Sequence, residues 1–299
     1  MGPSGNLGVL AIGAAAALWA GAASVARGLF ENGVEPLELA TARAVISAGV
    51  LALVPASWSR TTSRPDRNTY TAVVLLGLSL ALVNFAYYTA IDRLAVAVAI
   101  VLQYSAPALV VAWASLLRRR LPPGEISAAL LAALAGVVLV SEVATGDLAE
   151  LDRLGIAMGL ASAILFATYT VLSERLEAVY GPIRTLFRAF SVATLFWIVV
   201  MIPRGWPAEL FDSSNFWRVL FVGVGGTLTP FVLYVWGIGR VRAERASIAA
   251  TLEPVLAAVF AWVWLAEALD AIQIVGGVLV VGAVVFLQAR RRTPLHPEY

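Results

Sequence analysis

Long apolar stretches alternate with short polar linkers along the whole chain. About 20 mostly apolar residues suffice for a helix that spans a bilayer. The pattern predicts ten such spans, at residues 7–29, 36–57, 70–91, 95–117, 124–142, 154–174, 182–203, 216–238, 246–266 and 270–289. The linkers carry Pro, Gly and charged residues, and none is long enough for a soluble domain. An all-α integral membrane protein is therefore predicted.

Composition supports this class and limits the chemistry. The chain is 60% hydrophobic and 13% charged, against roughly 45–50% and about 25% in soluble domains. There is no Cys, and the single His, His296, lies beyond the last span, so neither a metal site nor a cofactor is predicted. The basic residues are all arginines, and they cluster in short loops rather than on one face, which argues against a nucleic-acid partner.

Arginine placement predicts the orientation, because cytoplasmic loops are enriched in basic residues. One side carries fourteen arginines and the other carries five. The fourteen are Arg60, Arg64, Arg67, Arg118, Arg119, Arg120, Arg175, Arg184, Arg240, Arg242, Arg245, Arg290, Arg291 and Arg292, and the five are Arg27, Arg93, Arg153, Arg204 and Arg218. We expect both termini in the cytoplasm and the chain in the lipid bilayer of a bacterial inner (plasma) membrane.

The chain repeats itself at a period of about 147 residues. "LGVLAIGAAAALWA" from Leu7 resembles "LGIAMGLASAILFA" from Leu154, and "YTAIDR" from Tyr88 resembles "YVWGIGR" from Tyr234. The two halves, 1–146 and 147–299, hold five spans each, so the second is inverted relative to the first. Inverted repeats are typical of transporters that work by alternating access.

Several motifs resemble the EamA-like branch of the drug/metabolite transporter superfamily. They are "AALWAG" near the start, an arginine entering the second span of each half, "LEPV" at 252–255 and the helix-loop-helix ending at 265–285. Within it, the chain is most similar to the YddG-type aromatic amino acid exporters. The resemblance implies export through a central cavity surrounded by helices 1, 3, 4, 6, 8 and 9. In the first half "YSAP" replaces the family's Glu-Pro, and Arg120 stands near a position where the family often has Glu.

Polar and aromatic side chains in the middle of spans predict the lining of this cavity. Polar groups in hydrocarbon require a partner or water, and aromatic rings with amides suit a flat amphipathic solute. The alternatives are packing within the bundle and interfacial aromatic belts. The predicted lining is Trp19, Asn84, Tyr87, Tyr88, Gln103, Tyr104, Phe166, Tyr169, Tyr234 and Glu253.

Two arginines and three prolines inside the spans are candidate gate and hinge residues. Arg43 and Arg188 lie about six residues into their spans. They either snorkel to the headgroups, pair as gate elements, or bind a substrate carboxylate. Pro107, Pro230 and Pro254 each remove a backbone hydrogen bond and allow a helix to bend.

Glu253 is the only acid in the middle of a span, where a charge costs about 2.5–3.5 kcal/mol on insertion scales. It is either a structural hydrogen-bond anchor or a functional acid. One acid without a His does not make a catalytic site, so we predict no enzyme. The predicted function is secondary export of small metabolites, most of all aromatic or hydrophobic amino acids. The alternatives are a broad-specificity drug/metabolite carrier, with or without proton coupling, and a membrane scaffold or receptor. The oligomeric state stays open.

Overall fold

The computed structural model describes residues 4–54, 67–94, 96–141, 152–205, 210, 212–265 and 269–290. The elements of these ranges are helical and include no strand, which confirms the all-α class. They are α1 (Ser4–Glu31), α2 (Pro36–Ala52), α3 (Arg67–Arg93), α4 (Val96–Gln103), α5 (Ala106–Arg118), α6 (Gly124–Val140), α7 (Arg153–Met201), α8 (Ser213–Gly223), α9 (Thr229–Val241), α10 (Ala243–Ala250), α11 (Leu252–Leu265) and α12 (Ala271–Arg290), with a π-helical segment at Val224–Leu228.

Six stretches of the described chain are helical, long and apolar enough to cross a membrane, and α6 is a shorter apolar helix. The protein is therefore a multi-pass membrane protein. His296 and four of the counted arginines (Arg60, Arg64, Arg291 and Arg292) lie outside the described residues.

Two of the predicted spans are interrupted by a break in the helix. Between α4 and α5 the helix breaks at Tyr104 and Ser105, and between α10 and α11 it breaks at Thr251. Pro107 and Pro254 follow these breaks as the second and third residues of the next helix. Early helix positions tolerate proline, because the N–H it lacks has no partner there in any case. The break occurs at matching places in the two halves.

Two further irregularities lie in the second half. In α7 the predicted spans 154–174 and 182–203 form one helical stretch, interrupted at Gly181, whose φ is +72°. Glycine adopts this conformation without a steric cost, and Pro182 prevents a regular continuation. The π segment at Val224–Leu228 ends just before Pro230, the second residue of α9.

The halves pack against each other along most of their length, with α3 on α7, α1 on α9 and α6 on α12. Close approach depends on small residues. A Cβ at Gly77 would lie 2.4 Å from the Val192 Cβ, and one at Gly136 would lie 2.6 Å from the Gly276 carbonyl oxygen. Small residues therefore allow these helices to approach closely.

We expect Gly136→Ala to lower the thermal stability of the detergent-solubilised protein, because a methyl group there overlaps the backbone of α12. Overpacking of this kind costs about 1–3 kcal/mol. Gly282 is the matched control: it lies on α12 with open space around its Cα, so Gly282→Ala should leave the melting temperature unchanged or raise it slightly. Equal melting temperatures for the two variants would contradict the close α6–α12 contact.

Candidate functional site

A cavity of about 50 Å³ lies near the middle of the bundle, between the two halves. Eight of the ten predicted lining residues line it: Trp19, Asn84, Tyr87, Tyr88, Gln103, Tyr104, Phe166 and Glu253, and they are joined by Ala22, Ala23, Arg43, Val83, Gly226 and Phe231. This volume is enough for only a few water molecules, whereas ligand pockets are commonly about 300–1,000 Å³. The cavity is thus contracted, and a solute the size of an amino acid requires it to widen.

An aromatic cluster forms one wall of the cavity. The Trp19 ring contacts Phe166, Phe231 and Tyr234 edge-on, with centroid distances of 6.2, 5.4 and 5.3 Å. Phe166 in turn stacks on Tyr169 and Tyr234 at 6.2 and 5.7 Å. Such pairs contribute about 0.5–1.5 kcal/mol beyond the area they bury. The wall is therefore a packed and preformed surface rather than a set of separate rings.

Tyr169 and Tyr234 were predicted to line the cavity, but the structure places them behind this wall. Both are fully buried, and neither is among the lining residues. The Tyr234 hydroxyl lies 3.2 Å from the Thr170 hydroxyl. Both rings stack on Phe166, which does line the cavity.

Arg43 occupies a polar cluster at the cavity between α2, α3 and the π segment. Its Nε donates a hydrogen bond to Thr227 Oγ1 at 2.7 Å, and its Nη1 donates to the Tyr88 hydroxyl. Thr227 Oγ1 also donates to the Val222 carbonyl at 2.6 Å. Arg43 is only 4% exposed. The side chain therefore points into the bundle and does not snorkel to the headgroups.

Sequence reasoning did not connect Arg43 with Thr227, which lies 184 residues away. The π turn places the Thr227 hydroxyl toward α2, and π turns are frequent at functional sites. Adjacent glycines, Gly225 and Gly226, allow close packing there: a Cβ at Gly226 would lie 2.3 Å from the Ala22 Cβ. The pair "GG" in the eighth span is the signal that could have located this irregular turn.

The two helix breaks meet at a hydrogen bond between the halves. Tyr104 lies in the break between α4 and α5, and Glu253 is the second residue after the break that precedes α11. The Tyr104 hydroxyl donates to Glu253 Oε2 at 2.5 Å, and both residues are buried. Glu253 therefore has a partner from the opposite half, which explains how a carboxyl group is accommodated at this depth.

Arg188, the counterpart of Arg43 in the repeat, is not brought to the cavity. Its guanidinium lies over the Tyr180 ring at 3.8 Å from the centroid, and its buried Nη1 has no hydrogen-bond partner among the described residues. The two arginines that look equivalent in the sequence therefore have different environments. Arg43 bridges the halves, and Arg188 remains within the second half.

The family model of the EamA-like transporter family matches residues 6–142 and 153–288. The chain belongs to this family. It is therefore a membrane transporter of small metabolites. The match occurs twice along the chain, once on each side of residues 143–152.

Individual relatives support this family assignment. The chain is 31% identical over 241 residues to an uncharacterized transporter of Archaeoglobus fulgidus, covering 79% of this chain and 81% of the relative. It is 26% identical over 215 residues to the threonine/homoserine exporter RhtA of Salmonella typhimurium, covering 71% and 68%. A solved crystal structure superposes with a TM-score of 0.74 at 22% identity, covering 96% of this chain and 99% of that one. That likeness shows a shared fold.

Proposed function

We propose that this EamA-family protein is a secondary exporter of aromatic and hydrophobic amino acids in a bacterial inner membrane. It has ten spans in two inverted halves, 1–146 and 147–299, with both termini in the cytoplasm. The observation that carries the proposal is the lining of the central cavity, which combines an aromatic wall with one arginine and one carboxyl group. The aromatic wall corresponds to the side chain of such a substrate, the arginine to its carboxylate and the carboxyl group to its ammonium group.

The amino-acid backbone of the substrate fits the two charged residues. Arg43 presents a guanidinium fork, which recognises a carboxylate through charge-assisted hydrogen bonds. Glu253 presents a carboxyl group that accepts from the Tyr104 hydroxyl and becomes the partner of an ammonium group. The amides of Asn84 and Gln103 offer further polar contacts. A zwitterion entering the cavity thus meets an opposite charge for each of its ends.

The side chain of the substrate fits the aromatic wall. Trp19, Phe166 and Phe231 line the cavity, and an indole or phenyl ring gains both burial and stacking against them. A small polar side chain gains neither. Aromatic and large aliphatic amino acids are therefore favoured over glycine or serine.

Transport requires the contracted cavity to open alternately to each side. The hinges in this proposal are the helix breaks before Pro107 and Pro254 and the π segment before Pro230, because backbone there is not held by a continuous helical ladder. Arg43 acts as a gate element, since it joins α2 and α3 of the first half to Thr227 of the second. Arg188 is the equivalent gate residue for the opposite side. Its Nη1 has no hydrogen-bond partner among the described residues and is available for a new contact after the halves rock.

Similarity to the threonine/homoserine exporter RhtA favours a second candidate, a carrier for small polar amino acids. In this candidate Arg43 and Glu253 bind the substrate in the same way, and the aromatic wall serves only to pack the bundle. A broad-specificity carrier with proton exchange through Glu253 is a variant of the same site.

Counterflow in proteoliposomes tests these candidates. Vesicles loaded with unlabelled tryptophan should accumulate labelled tryptophan saturably, and phenylalanine should compete. Tryptamine, which lacks the carboxylate, and indole-3-propionate, which lacks the ammonium group, should compete at least about tenfold less well, as expected for loss of one charge-assisted contact. Threonine counterflow without tryptophan counterflow would replace the proposal by the second candidate. Absence of any amino-acid flux would overturn both.

A further inference from the structure

A second, charged cleft of about 400 Å³ lies away from the central cavity, where α5 ends and α6 and α10 begin. Four arginines and two glutamates line it: Arg118, Arg120, Arg242, Arg245, Glu125 and Glu244. The lining therefore carries two more positive than negative charges. The transport mechanism proposed above assigns no role to this cleft.

The two glutamates are already neutralised by partners in the cleft. Arg118 Nη2 lies 2.7 Å from Glu244 Oε1, and Arg245 Nη2 lies 2.8 Å from Glu125 Oε1. Arg245 Nη1 also donates to the Leu287 carbonyl at 2.5 Å. These contacts hold Arg245 in place and leave the excess positive charge with the other arginines.

The excess charge is accessible. The side chain of Arg242 is 63% exposed, and its contact with Glu174 is long, at 3.4 Å. Arg120 is exposed, and the side chain of Arg118 is 43% exposed beside its contact with Glu244. Guanidinium groups bind phosphate oxygens through paired hydrogen bonds. The cleft thus offers several donors to one phosphate group.

The surface beside the cleft is apolar. Leu116, Leu117 and Leu121 are 72%, 68% and 93% exposed, and Leu121 also lines the cleft. Leu116 and Leu117 lie in the last turn of α5, at the end of a helical stretch long and apolar enough to cross a membrane, so they face the acyl chains. A ligand that places a phosphate among the arginines can therefore lay a hydrocarbon chain along α5, which a free phosphate ion cannot do.

We propose that this cleft binds the headgroup of an anionic phospholipid of the cytoplasmic leaflet. The leaflet follows from the proposed orientation, which puts this arginine-rich end in the cytoplasm, where basic pockets between spans meet anionic lipid. The headgroup ties the halves together. It contacts α5 and α6 of the first half and α10 of the second, beside the two ion pairs that already join them.

Native mass spectrometry and thermal shift of the full-length protein in detergent test the proposal. Phosphatidylglycerol should bind and raise the melting temperature, whereas phosphatidylcholine and inorganic phosphate should do so far less. Arg120→Gln combined with Arg242→Gln should weaken phosphatidylglycerol binding at least about tenfold, because charge-assisted contacts are lost. The corresponding Lys pair should retain most of the binding.

Arg218→Gln is the matched control, since Arg218 is an exposed arginine on α8 at the opposite end. It should bind phosphatidylglycerol like the unmodified protein. Equal binding of phosphatidylglycerol and phosphatidylcholine, or equal loss in the Arg218 variant, would overturn the site. If inorganic phosphate raises the melting temperature as much as phosphatidylglycerol does, the occupant of the cleft is not a lipid. Lipid binding is measured without transport, so its failure leaves the substrate proposal untouched, and the reverse also holds.

Discussion

Replacement of Arg43 by Gln is expected to reduce tryptophan counterflow by about 10–100-fold, which corresponds to the roughly 1.5–3 kcal/mol of a charge-assisted hydrogen bond. The guanidinium lies at the central cavity and bonds to Thr227 and Tyr88. Glutamine is too short to keep both contacts and carries no charge for the substrate carboxylate. The measurement is the initial rate of counterflow over a range of tryptophan concentrations.

Two control variants separate charge, geometry and folding. Arg43→Lys retains the charge and loses the guanidinium fork, so an intermediate rate is expected. Arg218→Gln removes an exposed arginine far from the cavity and should transport normally. The fold of Arg43→Gln is expected to persist, because Thr227 Oγ1 keeps its bond to the Val222 carbonyl. Unchanged tryptophan flux in a folded Arg43→Gln protein would contradict the assigned role.

The same variant separates a carboxylate-binding role from a gating role. If Arg43 binds the carboxylate, tryptamine should inhibit tryptophan binding about equally in the unmodified and Arg43→Gln proteins, since tryptamine has no carboxylate to lose. If Arg43 acts as a gate alone, substrate affinity should be retained and the maximal rate should fall. Our proposal assigns it both roles, so both affinity and maximal rate should decrease.

Glu253→Gln is expected to abolish most tryptophan transport while leaving the protein folded. The amide oxygen of Gln can still accept the hydrogen bond of the Tyr104 hydroxyl, so the link between the two helix breaks persists. The negative charge for the substrate ammonium is lost. We expect a fall in counterflow of about 10–100-fold, again the size of one charge-assisted contact.

Tyr104→Phe provides the complementary test. It removes the hydroxyl and leaves a buried carboxyl group without its partner, which costs about 1–3 kcal/mol of stability. We therefore expect a lower melting temperature in Tyr104→Phe than in Glu253→Gln, and better transport in the folded fraction. If Glu253→Gln transports normally, Glu253 is a structural anchor only. Flux of the unmodified protein that ignores an imposed pH gradient, together with a fully active Glu253→Gln variant, would also exclude proton coupling through this residue.

The sequence predicted those residues of the candidate site whose position follows from the cost of placing polar groups in the hydrocarbon of the membrane. Trp19, Asn84, Gln103 and Glu253 were expected at a central cavity because polar or amphipathic groups far from any loop must face inward, and the structure places all four there. The prolines likewise indicated where helices break. These predictions require only the hydropathy of the chain and the distance of each residue from the ends of its span.

The contacts between the halves could not be predicted in this way. The Tyr104–Glu253 and Arg43–Thr227 pairs join residues 149 and 184 positions apart, and their existence depends on how two inverted halves pack. The repeat places Arg43 and Arg188 at equivalent positions, but sequence equivalence fixes neither the rotamer nor the local partners. Arg188 instead stacks on Tyr180.

Substrate protection of a thiol in the cavity tests the central claim most directly. The chain has no Cys, so Ala23→Cys introduces a single thiol, and Ala23 lines the cavity beside Trp19. Asn32→Cys, in the exposed turn after α1, is the control. In proteoliposomes treated with a membrane-impermeant maleimide, saturating tryptophan should slow the labelling of Ala23→Cys several-fold and leave that of Asn32→Cys unchanged. Labelling of Ala23→Cys that is indifferent to tryptophan, in a protein that still transports it, would show that the substrate does not pass through this cavity.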